Sequence, residues 1–441
     1  MRSFRGGIHL EYAKESTERK RIIKMMPPEK AFILLQQHIG APCEPLIAVG
    51  DEVKVGQKIG EAKAFVSAPV HSSLSGKVAS IASVPDCRGG ESTAIVIESD
   101  GKDEIWEGII PYGDDLNLLS AEEIKRIVRE AGIVGMGGAA FPTHVKLSPP
   151  SDKKIDSIIL NGCECEPYLT ADHRLMIERP EEVIFGLRAV MKALGVEQGY
   201  IGIEDNKVDA AERLKAVIGD DSSIKVVLLK VKYPQGSEKH LIDAILHRHV
   251  PSGGLPMDVG VVVNNAATAV ACARAIKTGM PLIERVLTVA GPGVKEPCNL
   301  EVRIGTPFED VIAECGGLLG SPTKIIMGGP MMGIAQYGLS APVVKGTSGL
   351  LIFSQKEKGR IWTGPCIRCG KCVEVCPMSL IPLELSHLSE KGLFDEAEEY
   401  NILDCIECGA CSYICPAKRQ NLQLIRMGKA EIVAKRRNKL A

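Results

Sequence analysis

Over the first hundred or so residues, apolar and polar positions alternate in short stretches bounded by glycine and proline. Gly50-Asp-Glu-Val-Lys-Val-Gly56-Gln-Lys-Ile-Gly60, Ala68-Pro-Val70 and Leu74-Ser-Gly-Lys-Val78 are the clearest examples. A period of two with turn punctuation predicts the short strands of a small β-barrel. From Leu116 the period lengthens. Ser120 and Glu123 form a capping-box sequence ahead of Ile124, Ile127, Val128 and Ala131, which predicts a helix stopped at Gly132. Apolar runs at 155–160, 200–203 and 224–231 predict buried strands, and helical spacing over 183–194 and 208–218 predicts the helices between them. Ser237 opens a further helix carrying Leu241, Ile242, Ile245 and Leu246. Strand and helix in alternation imply an α/β unit with a mostly parallel sheet. After Pro281, strands over 285–290 and 300–304, a helix over 308–315 and a strand over 324–327 predict a compact αβ unit. A glycine-punctuated connection over 338–349 leads to a cysteine-rich part, and 421–441 ends in a basic helix.

Composition narrows this picture. A chain of 441 residues is expected to hold about three domains. Its 53 basic residues nearly balance 55 acidic ones, which argues against a nucleic-acid partner. The longest apolar candidate for a membrane span, Val259 to Ile276, is broken by Asn264 and Asn265, so any membrane association is expected to be peripheral. The basic tail reads as a solvated helix face before a lipid contact. With no signal peptide and eight of 15 cysteines in one repeated spacing, a reducing, cytoplasmic compartment is expected.

That spacing is C-x2-C-x2-C-x3-C-P, found at Cys366, Cys369, Cys372, Cys376 and again at Cys405, Cys408, Cys411, Cys415. It is the bacterial ferredoxin run, in which the fourth cysteine of each run ligates the other cluster. Two 4Fe-4S clusters are therefore expected, one on Cys366, Cys369, Cys372 and Cys415, the other on Cys405, Cys408, Cys411 and Cys376. Zinc sites use two separated pairs instead of three closely spaced thiolates.

The second candidate is the glycine loop from Gly132 to Lys146. Its backbone can approach a phosphate closely, with free N–H groups and Lys146 as a compensating charge. It matches neither the phosphate-loop nor the dinucleotide motif, and taken alone a plain turn explains it equally well.

Four motifs in order carry a resemblance. Gly135 to Lys146 resembles the G-R-G-G-A-G-F-P-T-G-x-K stretch of the NADH-binding flavoprotein subunit of respiratory complex I. Asn161-Gly-Cys-Glu164-Cys-Glu166-Pro167 resembles N-A-D-E-x-E-P, Tyr233-Pro-Gln-Gly236-Ser-Glu238 resembles Y-x-C-G-E-E, and Asn264-Asn265-Ala-Ala-Thr268 resembles N-N-V-E-T. The resemblance implies that Gly135, Gly137, Lys146, Asn161, Glu164, Tyr233, Gly236, Asn264, Asn265 and Thr268 surround FMN. It implies that Gly138, Phe141, Glu166 and Glu238 face NADH, with Phe141 and Glu166 as the catalytic pair that positions the nicotinamide. Cys163 stands where the family has Asp, Ser237 where it has Glu, Met136 where it has Arg and Ala140 where it has Gly. Cys163 and Cys165 read as pocket-lining thiols.

The N-terminal part resembles the barrel-sandwich hybrid of biotinyl and lipoyl domains, although Lys63 does not have the carrier spacing. The expected order is a barrel-sandwich hybrid at 1–112, a Rossmann-like α/β FMN/NADH domain at 113–280, an SLBB β-grasp-like module at 281–340, a helical double 4Fe-4S ferredoxin domain at 355–420 and the basic helix at 421–441. That order resembles the RnfC family, whose members belong to Rnf complexes, the ion-translocating ferredoxin:NAD+ oxidoreductases. The resemblance implies a peripheral subunit on the cytoplasmic face of the bacterial membrane, passing electrons between NAD(H), FMN and the clusters. Its implied partners are the ferredoxin-type subunit of the Rnf complex, membrane subunits that move the ion and, indirectly, ferredoxin. The alternatives are a soluble flavin and iron-sulfur cobalamin reductase, whose barrel is expected behind the flavin domain, and a ferredoxin scaffold without a nucleotide site.

Overall fold

The computed structural model describes residues 2–354 and 363–440, so the expected start of the ferredoxin unit at 355 lies outside the described residues. At the centre is a four-stranded parallel sheet in the order Ile224–Leu229, Gln198–Glu204, Ser157–Asn161, Val261–Asn265. The predicted capping box forms: Glu123 N donates to Ser120 Oγ at 3.3 Å, and Ser120 N to Glu123 Oε2 at 2.7 Å, ahead of the helix Ala121–Glu130. The apolar stretch from Val259 to Ile276 becomes the last strand and the helix Ala266–Thr278. The Asn pair that interrupts it is their junction, where Asn265 Oδ1 accepts from Ala267 N at 2.9 Å and caps the helix. Among the described residues no helix is long and apolar enough to cross a membrane.

Ala266–Thr278 packs against the helix Pro180–Leu194 at a crossing that only glycine allows. A Cβ at Gly186 would stand 1.9 Å from the carbonyl oxygen of Ala269. Gly186→Ala is therefore expected to force the helices apart and lower the unfolding midpoint by roughly 5–10 °C in a thermal melt. The same shift moves Asn265 and Thr268, which begin the displaced helix.

The barrel comprises a four-stranded sheet (Lys30–Leu34, Glu91–Ser99, Gly76–Pro85, Glu52–Val53) and a three-stranded one (Glu44–Pro45, Lys58–Glu61, Val70–His71). Ile33, Ile59, Val70, Val78, Ile95 and Ile97 are buried together in its interior. Lys63, outside the carrier spacing, is an exposed residue in a bend.

The next sheet has six strands in the order Ile22–Lys24, Cys298–Arg303, Glu284–Ala290, Gly349–Ser354, Pro322–Met327, Ile334–Gln336. Two of these depart from expectation. Ile22–Lys24 falls within the stretch expected to form the barrel but is the edge strand here, parallel to Cys298–Arg303. Gly349–Ser354, which follows the expected connection, lies inside the sheet, as its four consecutive apolar residues suit. Glu301 joins this sheet to the parallel domain, accepting two bonds from Arg179 at 2.8 and 2.7 Å and one from Arg274 at 2.7 Å. Burial alone would raise its carboxyl, but the two guanidiniums hold it down to about 2.

The first ten residues also leave the barrel. Arg2 bridges Leu229 and Ile8 bridges Tyr233, so the N-terminal segment edges the parallel domain. Gly7 N donates to Val375 O at 2.8 Å, and Gly6, at φ +74°, lies so close that a Cβ would stand 2.7 Å from Cys376 O. The segment thus runs between the parallel domain and the cysteine-rich module. That module is helical, as expected, with Pro382–Glu390, Phe394–Glu399 and the long helix Asn421–Leu440. Four basic residues of the last helix are engaged within the chain: Arg426 and Lys429 pair with Glu407, Lys435 with Asp395 and Arg436 with Glu398.

Candidate flavin pocket and cysteine nests

Winding places the first site. The chain steps outward from Ser157–Asn161 through two strands and then returns to Val261–Asn265 on the other side, so its direction reverses between Asn161 and Asn265, which are register partners. Loops leaving such a switch point diverge and open a crevice, the usual ligand position in these sheets. The glycine loop lies against this crevice. Gly135 N donates to Phe141 O at 2.8 Å, Met136 N to Thr268 Oγ1 at 3.0 Å and Lys146 Nζ to Val263 O at 3.2 Å. A Cβ at Gly137 would stand 3.0 Å from the Asn265 side chain, whereas one at Gly138 would meet nothing. From the other wall, Asn161 Nδ2 donates to Gly236 O at 2.7 Å and Asn161 Oδ1 accepts from Cys163 N at 3.1 Å. Gly135, Gly137, Lys146, Asn161, Gly236, Asn264, Asn265 and Thr268 are thereby brought together. Gly138 is exposed and Phe141 half-buried beside them.

The crevice fits a polar ligand. Asn264 Nδ2 and Asp172 Oδ1 are buried there without a protein partner, and such groups ordinarily are bonded. Asn265 Nδ2 donates to the other Asp172 oxygen at 2.5 Å. Burial, then the neighbouring Glu164, push the Asp172 carboxyl up to about 6. Glu164, at φ +44°, turns its carboxylate onto the first turn of the helix Ala171–Glu178, accepting from Asp172 N at 2.7 Å and His173 N at 3.1 Å. Glu164 therefore acts on the wall of the crevice. Cys163 and Cys165 sit beneath it, and burial pushes both thiols up, Cys165 to about 12, which keeps them neutral as lining residues.

Glu166, expected to face NADH, has both oxygens engaged. Oε2 accepts from Met331 N at 3.0 Å and Oε1 from Met332 N at 2.8 Å, in a loop where Gly329 has no room for a side chain. Burial pushes the Glu166 carboxyl up to about 7 against the pull of these two donors. Glu238 is half-buried at the start of the helix Glu238–Leu246. Tyr233 is fully buried, and its hydroxyl donates to Cys408 O at 2.8 Å. That side chain connects the crevice wall to the cysteine module.

The two cysteine runs fold as near copies. Arg368 and Glu407, then Gly370 and Gly409, then Ser379 and Lys418 hold left-handed φ values at equivalent positions. Cys366, Cys369, Cys372 and Cys415 line one small cavity, and Cys376, Cys405, Cys408 and Cys411 line a second. Main-chain N–H groups of Arg368, Leu380 and Glu407 point at sulfurs of Cys366, Cys376 and Cys405 at 3.3 to 3.4 Å. Four sulfurs around a hole fit a polynuclear cluster. Cys408 and Cys411 are buried on the side of Tyr233, while Cys366 and Cys369 are exposed beside Ile367.

Two contributors are not legible in the motifs. Arg285, buried in the strand Glu284–Ala290, donates to Met136 O and to Thr347 O, both at 2.8 Å, and so supplies a guanidinium to the residue that replaces the family's loop arginine. Lys14 donates to Glu164 O at 2.7 Å and Leu169 O at 2.5 Å, bracing the loop that follows Asn161. A lone Arg before an apolar strand and a Lys in an irregular N-terminus carry no pattern. A cavity of about 540 Å³ is lined in part by Met136 and Arg285, and its other arginines and carboxylates largely pair with one another.

Comparisons with known proteins agree with this layout. Residues 2–102 match the RnfC barrel sandwich hybrid domain, 128–274 the Nuo51 FMN-binding domain, 286–335 the SLBB domain and 358–416 the 4Fe-4S dicluster domain. The chain is 52% identical to the C-subunit of the Na(+)-translocating ferredoxin:NAD(+) oxidoreductase complex of Acetobacterium woodii, over 99% of this chain and 98% of that one. It is 53% identical to the proton-translocating counterpart of Clostridium ljungdahlii, over 98% and 94%. Among solved structures, an NAD+-reducing NiFe hydrogenase in the H2-reduced state shares the fold with a TM-score of 0.50 at 19% identity, covering 76% of this chain and 70% of that one. With a barrel in front, an FMN-binding domain behind it and a dicluster domain last, the chain belongs to the RnfC family, the C-subunits of ion-translocating ferredoxin:NAD+ oxidoreductase complexes.

Proposed function

We propose that the chain carries electrons between NAD(H) and partner subunits through FMN in the switch-point crevice and two 4Fe-4S clusters held by crossed cysteines. One observation carries the reading: the Tyr233 hydroxyl on the Cys408 carbonyl, which makes one side chain common to the crevice wall and a cysteine nest. When bound, the flavin exchanges a hydride with the nicotinamide and single electrons with iron-sulfur clusters. The chain's own residues bind, orient and shield. The glycine loop with Lys146 holds the phosphate end, Asn161, Asn264 and Asn265 present amides from the strand ends, and Phe141 and Glu166 orient the nicotinamide. The nest of Cys376, Cys405, Cys408 and Cys411 is flavin-proximal, and the exposed nest of Cys366, Cys369, Cys372 and Cys415 faces the partner.

The partners are a ferredoxin-type subunit and membrane subunits at the cytoplasmic face. Relatives of near-equal identity are named for sodium and for protons, so the ion is chosen by other members of the complex. Anaerobic purification with cofactor analysis tests the proposal. About eight iron atoms and one FMN per chain are expected; iron without flavin after attempted reconstitution would leave only a ferredoxin scaffold.

A further inference from the structure

We propose that Cys298 and Cys315 form a peroxide-responsive dithiol that closes to a disulfide inside the SLBB module. Their sulfurs stand 3.2 Å apart. A disulfide requires about 2.0 Å, so closure needs a movement of only about 1 Å. Cys298 opens the strand Cys298–Arg303, and Cys315 caps the end of the helix Phe308–Glu314. Other buried thiols are placed differently: Cys43 donates to Ala68 O and Cys163 to Gly202 O.

The pair is asymmetric, as an attacking and a resolving thiol must be. The contact with the Cys315 sulfur, against burial and the carboxylates of Glu314 and Glu296, holds the Cys298 thiol below its ordinary value. Lys20 assists, its ammonium donating to Pro297 O at 2.6 Å beside Cys298. The same sulfur contact and burial push Cys315 up. Cys298 is 7% exposed and Cys315 1%, so a small hydroperoxide can reach the first sulfur where a bulky disulfide reagent cannot.

The chemistry balances. The Cys298 thiolate attacks one oxygen of hydrogen peroxide; the S–O bond forms, the O–O bond breaks, and the hydroxide released takes up a proton to leave as water. Cys315 sulfur then attacks the sulfenic sulfur; the S–S bond forms, the S–O bond breaks, and the departing hydroxide takes the Cys315 proton. Two thiols and one peroxide become one disulfide and two waters. A dithiol reductant reverses the step. The strand so fastened carries Asn299 and Glu301, which reach Thr170, Arg179 and Arg274 of the flavin-type domain, so the bridge stiffens the footing between the two units.

The test uses anaerobic holoprotein treated with a few equivalents of hydrogen peroxide, then denatured, alkylated and digested without reductant. The expected product is a Cys298–Cys315 linked peptide, two hydrogens lighter than its parts, formed before Cys43, Cys87 or Cys272 lose their reactivity to alkylation and removed by dithiothreitol. Recovery of both cysteines separately alkylated, at doses that already oxidise those three, overturns the proposal, as does pairing of either with a cysteine freed from a cluster. In a second measurement, peroxide is expected to raise the unfolding midpoint of the wild type and not of Cys315→Ser. Equal midpoints before and after treatment of the wild type would show that the bridge does not close in the folded protein.

Discussion

Cys376→Ser is expected to remove iron from the nest of Cys405, Cys408 and Cys411, which lies well downstream in sequence, and to spare the nest of Cys366, Cys369 and Cys372 that adjoins it. Cys415→Ser is expected to do the reverse. The reason is the cavity lining: Cys376 closes the ring of the later run and Cys415 that of the earlier one. A thiolate replaced by a hydroxyl loses one of four ligands, and of about eight irons about four should survive in either variant. Pairing the variants makes the crossing unambiguous. Cys376→Ser added to Cys405→Ser should cost no further iron, whereas Cys415→Ser added to Cys405→Ser should cost nearly all of it. Uncrossed ligation predicts the opposite pattern. Electron paramagnetic resonance after NADH addition then separates the clusters by position. With the Tyr233-side nest destroyed, the remaining cluster should stay oxidised far longer than in the wild type, while Cys415→Ser should leave the Tyr233-side cluster reducible at its normal rate.

Much of this is legible in the residues, for physical reasons that differ by element. Ser120 and Glu123 announce a helix start because reciprocal side-chain to main-chain bonds need those two residue types three apart, and both bonds form. The cysteine runs are legible because a cuboidal cluster dictates their spacing. The Asn264-Asn265 pair, in contrast, first reads as a defect in an apolar run; only the sheet reveals it as the strand-to-helix junction at the switch point. The ten N-terminal residues belong to the barrel by adjacency alone. Their placement against Leu229, Tyr233 and Cys376 depends on main-chain bridges and on the bare backbone of Gly6, for which no periodicity exists. The engagement of Glu166 by the Met331 and Met332 N–H groups is likewise invisible in sequence, since it depends on docking between two domains.

Glu166→Ala is expected to leave iron and flavin content unchanged and to lower the kcat/KM of NADH-dependent reduction of an artificial acceptor by about tenfold or more, the cost of losing one positioning contact. In the proposed reading Glu166 acts in two directions, on the nicotinamide as the family resemblance implies and on the SLBB loop by the two bonds it accepts. The loop side has its own consequence. Met331 O lies 3.2 Å from where a Cβ of Gly409 would stand, next to Cys408, so releasing Met331 loosens the backing of the nest of Cys376, Cys405, Cys408 and Cys411. Leaving the Met331 N–H unpaired costs about 1–3 kcal/mol, enough to be seen as a lower unfolding midpoint. Titration separates the carboxylate from its shape. The Glu166 carboxyl lies at about 7 in the folded protein against 4.5 ordinarily, so the folded state binds the extra proton and stability falls as pH rises from about 4.5 to about 7. The interval corresponds to about 3 kcal/mol at most. Glu166→Gln has no such proton to lose, and its unfolding midpoint relative to wild type is expected to climb between pH 5.5 and 8. Parallel pH profiles for the two proteins would place the ionisation elsewhere, and acceptor reduction unchanged in both Glu166→Ala and Lys146→Ala would remove these residues from the site.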